Sequence, residues 1–85
     1  YIVPTDLFRI RQASMHHTPT VLIVDDTPMT RDILARLLTR TCPHAAPALA
    51  ADVANARRLL SGGHITSVVT DYHLPDGTGL DVIDA

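Results

Sequence analysis

Apolar positions along the chain follow two different spacings. Val21-Leu22-Ile23-Val24 is an unbroken, largely β-branched run, the pattern of a strand buried on both faces of a parallel sheet. It stops at Asp25-Asp26, and Thr27-Pro28 then opens a helix with a cap-competent residue and a proline at the first helical position. Ile33, Leu34, Leu37 and Leu38 mark one stripe of that helix, while Arg31, Asp32, Arg36 and Arg40 lie mostly off it, and Pro43 ends it. Ala45 to Ala50 is a weakly marked strand. Asp52 can cap a second helix carrying Val53, Ala56, Leu59 and Leu60, closed by Gly62-Gly63. Ile65 to Thr70 predicts a third strand ending at Asp71. Leu74-Pro75-Asp76-Gly77-Thr78-Gly79 is turn chemistry, and Leu80 to Ile83 starts another amphipathic helix.

Residues 1–19 lack a clear period. Tyr1-Ile2-Val3 reads as a short strand, Leu7 to Gln12 as a helical turn and Ser14 to Pro19 as a polar connector. The whole stretch is expected to be a linker or the tail of an upstream domain, and both chain ends read as cut. From residue 20 onward, strand–helix–strand–helix–strand–helix is the signature of an α/β sheet with parallel strands. Right-handed crossovers place its first strand between the second and third. Asp25-Asp26 and Asp71 then sit at the carboxyl ends of neighbouring strands, the edge where open α/β sheets bind ligands.

Composition narrows the reading. Apolar residues make up 46% of the 85 positions and charged residues 19%, which is globular rather than disordered composition. A net charge of −2 gives no reason to expect nucleic acid or an anionic membrane as a direct partner. No apolar run approaches a membrane span, and a lone Cys42 fits a reducing, cytoplasmic setting, where it reads as a small apolar residue at a helix end. His16-His17 have no partner at metal-ligand spacing and read as solvated linker. All seven basic residues are Arg and all nine acidic ones Asp.

Three carboxylates at adjacent strand ends repel one another. At an effective dielectric of about 20, two charges 4 Å apart cost about 4 kcal/mol. No Lys or Arg adjoins them in the local sequence. Protonation of one carboxylate or binding of a hard cation relieves that cost, and short oxygen ligands suit Mg²⁺, which favours sites shared with phosphate. A carboxylate in such a place can act as a nucleophile and become an aspartyl phosphate.

The residues that carry this chemistry resemble the receiver family of two-component signalling. Val21 to Asp26 looks like its first strand and acidic pair. Val68-Val69-Thr70-Asp71-Tyr72-His73-Leu74-Pro75-Asp76-Gly77-Thr78-Gly79-Leu80 looks like its phosphoacceptor strand and the loop that follows. The resemblance covers residues 20–85 and implies the first half of a receiver domain: a truncated, flavodoxin-like, doubly wound parallel sheet of three β-α units. It implies Asp71 as phosphoacceptor, Asp26 as direct Mg²⁺ ligand, Asp25 as a ligand through water, and the His73 backbone carbonyl as a further ligand. The donor would be a phosphohistidine on a sensor kinase or a histidine phosphotransfer domain. Such a domain catalyses its own phosphorylation and dephosphorylation.

Departures from the family matter as well. The family's Ser or Thr after its fourth strand and Lys after its fifth have no counterpart in these residues. The chain alone is therefore not expected to complete the switch, and a phosphorylation-independent pseudo-receiver, an interaction module, is the alternative. The long leader suits a receiver fused behind another domain, as in a hybrid kinase. The third strand is expected to leave an apolar edge and face open, inviting dimerisation or strand exchange. The His73 side chain could influence phosphate lifetime through water access, although a solvent-facing bystander is the plainer reading. Asp76-Gly77-Thr78 echoes part of the haloacid dehalogenase nucleophile motif, but that motif needs an Asp where Leu74 stands.

Overall fold

A computed structural model describes residues 2–4 and 18–84. Among these residues, six strands and three helices follow one another: β1 (Ile2–Pro4), β2 (Thr20–Val24), α1 (Pro28–Thr41), β3 (Ala46–Ala50), α2 (Val53–Ser61), β4 (Ser67–Thr70), β5 (His73–Leu74), β6 (Gly77–Thr78) and α3 (Gly79–Ile83). The predicted turn over Leu7–Gln12, most of the connector that follows it, and His16-His17 lie outside the described residues. Among the described residues, no helix is long and apolar enough to cross a membrane.

The main sheet runs β1-β4-β2-β3, and β2 pairs in parallel with both β3 and β4. The first strand of the β-α series therefore lies between the second and third, as the crossover rule requires. Its position explains its composition. Leu22, Ile23 and Val24 are all buried, because β2 has a neighbour on each edge and packing on each face.

Leu22, Val24, Ala50 and Val68 join Val53, Ala56, Leu74 and Val82 in one core, so α2 and α3 seal one face of the sheet. Ile23 points to the opposite face, which α1 covers against β2 and β3. That cover is thin. The stripe predicted on α1 is only partly inward: Leu34 and Leu38 are half-buried, whereas Ile33 and Leu37 are each 50% exposed. A helical period identifies an apolar face but not whether a neighbour completes it.

The β4 edge, expected to be open, is instead occupied. β1 pairs with it antiparallel, setting Val3 opposite Val68. The other edge is blunted in its own way. Ala46 donates its N–H to the Pro19 carbonyl and Asp25 donates to Ala50, so alternate residues of β3 face β2 and Pro47 faces outward. A proline there removes an N–H that would template a further strand.

The N-terminus of α2 fastens the turn after β4. Asp52 caps it through Asn55 N–H at 2.8 Å. Asp76, at the tip of the β5–β6 hairpin, accepts the N–H groups of Val53 at 2.7 Å and Ala54 at 3.0 Å. All three first-turn donors of α2 are thereby satisfied by two aspartates. Gly77 lets the hairpin lie this close, since a Cβ there would lie 3.1 Å from Val53 Cγ2 on α2 and 2.6 Å from Asp81 Oδ2. Asp81 in turn accepts the Thr78 N–H at 2.9 Å and closes the first turn of α3.

The Val53 and Ala54 N–H groups hold the Asp76 carboxyl below its ordinary 3.8. A depressed carboxylate stabilises the fold above 3.8 and loses that contribution as pH falls through its lower folded value. Asp76→Asn is therefore expected to lower the melting temperature at neutral pH. In melts recorded at successive pH values, its deficit should shrink below pH 3.8.

Candidate metal centre

The site is assembled at the carboxyl end of the parallel strands. Asp25 extends the β2–β3 ladder by one residue, and its side chain turns back so that Oδ1 accepts the Thr27 N–H at 2.8 Å. Thr27, the N-cap of α1, makes no side-chain capping bond, and Asp25 supplies an acceptor for that turn instead. On the neighbouring strand, Asp71 donates its N–H to the Val24 carbonyl at 2.9 Å. That bond places the residue after β4 beside the residues after β2. Asp71 Oδ1 accepts the Tyr72 N–H at 2.8 Å, and among the described residues Oδ2 accepts no hydrogen bond.

Asp25, Asp26 and Asp71 each bring a carboxylate oxygen within 4.8 Å of the others. Asp25 is buried, at 6% exposure, while Asp26 and Asp71 face solvent. Oxygens around a hard divalent ion at about 2.0–2.6 Å sit roughly 3 to 5 Å apart, so this spacing fits one ion with small side-chain adjustments. It does not single out Mg²⁺ among such ions. Without a cation, each pair of carboxylates at this range repels by roughly 3 kcal/mol at an effective dielectric of about 20, less where solvent screens the two exposed members.

His73 opens β5 opposite Thr78, and its ring meets Tyr72 edge-on at 5.0 Å. The nearest hairpin donors are engaged elsewhere, Thr78 N–H with Asp81 and Gly79 N–H with the Tyr72 carbonyl. Neither is directed at the His73 carbonyl. Cys42 is the exposed C-cap of α1, remote in sequence from every residue of the site.

Two contributors escaped the sequence reading. A cation does approach the cluster: Arg31 NH1 donates to the Asp25 main-chain carbonyl at 2.8 Å. Its position one turn into α1 is the only sequence signal that could have suggested it. Gly79 is the other. A Cβ at Gly79 would lie 2.7 Å from the Asp71 carbonyl oxygen and 3.0 Å from Thr70 Cγ2. The Thr70 hydroxyl already donates to that same carbonyl at 2.8 Å. The start of α3 is thus pressed against the backbone that aims Asp71, and only glycine fits.

Gly79→Ala is expected to cost about 1–3 kcal/mol through overpacking and to weaken divalent-cation binding by displacing Asp71. Gly62→Ala is the control, because its Cβ meets nothing nearer than 3.3 Å. Chemical denaturation and a Mn²⁺ titration of the two variants would measure the difference.

Compared with known proteins, the chain matches no family model, no curated protein and no solved structure.

Proposed function

We propose that the chain is the phosphoacceptor part of a signalling receiver, in which Asp71 takes a phosphoryl group from a phosphohistidine with the help of Mg²⁺. In this reading, β2 to α3 are the first three β-α units of a flavodoxin-like sheet. The observation that carries it is the meeting of Asp25, Asp26 and Asp71 at the carboxyl edge of two adjacent parallel strands.

The chemistry follows from how each carboxylate is held. Tyr72 N–H engages Oδ1 of Asp71 and leaves Oδ2 as the attacking oxygen. As Oδ2 bonds to phosphorus, the phosphorus–nitrogen bond of the phosphohistidine breaks and the imidazole nitrogen keeps the electron pair. Exposure of Asp71 admits a donor as large as another protein's histidine. Asp25, buried and fixed by Thr27, and Asp26, exposed beside it, would hold the cation with Asp71. The His73 carbonyl would be a further ligand. Bound there, Mg²⁺ would offset the charge of bringing an anionic phosphoryl group to a carboxylate. The partner would be a sensor kinase or a histidine phosphotransfer domain, and the location cytoplasmic.

Acetyl phosphate with Mg²⁺, read by intact mass, tests the reading. One phosphoryl adduct is expected, absent in Asp71→Asn and after chelation. A folded protein that takes up no phosphoryl group would favour the interaction-module alternative.

A further inference from the structure

Among the described residues, Arg31 is the arginine that reaches the acidic cluster, and it does so without pairing with a carboxylate. NH1 bonds the Asp25 carbonyl, and the side chain is half-buried. Among the described residues, that bond is the only hydrogen bond or ion pair the Arg31 side chain makes. Arg36, by contrast, pairs with Asp32 on the outer face of the same helix. Covalent geometry limits how far Arg31 stands from the cluster. An aspartate's carboxylate oxygens lie no more than about 6 Å from its own carbonyl oxygen, so the guanidinium is within about 9 Å of the Asp25 carboxylate.

A fixed positive charge at that distance has two opposed consequences. With no cation bound, it reduces the repulsion among three carboxylates that the fold forces together. With a divalent ion bound, it repels the ion.

Resting on the cation-dependent reading above, we infer that Arg31 is a positioning residue that sets the strength of cation binding. Tethered by its bond to the Asp25 main chain, it acts as a counter-charge that keeps the bound divalent ion exchangeable. The signature of a counter-charge differs from that of a clamp. Removing a clamp weakens cation binding. Removing a counter-charge tightens it, and the gain disappears in high salt.

The experiment is Mn²⁺ binding by calorimetry to the wild type, Arg31→Gln, Arg31→Met and Arg31→Lys, each in about 10 mM and about 1 M salt. The neutral variants are expected to bind Mn²⁺ about three- to ten-fold more tightly at low salt, with the difference largely gone at high salt. Arg31→Lys should stay near wild type. Weaker binding in both neutral variants at either salt would overturn the inference and leave Arg31 a structural clamp. If the neutral variants unfold without metal, recovery of the fold by saturating Mn²⁺ supports the counter-charge, and failure to recover refutes it. A wild type that binds no divalent ion would remove the site reading itself, and the inference with it.

Discussion

One backbone hydrogen bond, from Asp71 N–H to the Val24 carbonyl, carries the arrangement of the site. It continues the parallel pairing of β4 with β2 one residue past the strand, just where both chains turn acidic. Parallel strands in register end on the same edge, so the residue after β4 must stand beside the residues after β2. Three like charges are thereby brought together by pairing that the apolar cores of the strands drive. Leu22, Val24 and Val68 secure the register by burial, and the carboxylates bear the electrostatic consequence.

The rest of the molecule holds that edge still. Thr27 N–H and the Arg31 guanidinium fix the two faces of Asp25. Gly79 lets α3 abut the Asp71 carbonyl, and Asp76 ties the hairpin between β4 and α3 to the first turn of α2. The loop bearing Asp71 is thus fastened at both ends to elements that share the main core. A site built this way is preorganised, and its remaining freedom lies in the exposed side chains of Asp26 and Asp71.

What was legible in the sequence is what leaves a local pattern. β2 could be read from four consecutive apolar residues, α2 from its Asp52 cap and Gly62-Gly63 ending, and the three aspartates from their places after strands. The short strand at Ile2–Pro4 could be read as a strand but not placed in the sheet, because its antiparallel partner lies far along the chain. Nor does periodicity reveal that Ile33 and Leu37 stay half exposed, since it cannot show what neighbours a helix has. Arg31 and Asp76 act through bonds to main-chain groups six and twenty-three residues away, which no spacing of residue types records.

The central claim is that Asp25, Asp26 and Asp71 converge on one cation. Paramagnetic broadening of amide resonances during a substoichiometric Mn²⁺ titration tests it most directly. The account predicts that broadening begins at the amides of Asp25, Asp26, Asp71, Tyr72 and His73 and spreads outward from them. Broadening scattered over exposed aspartates elsewhere, such as Asp32, Asp76 and Asp84, with no preference for that edge, would contradict it.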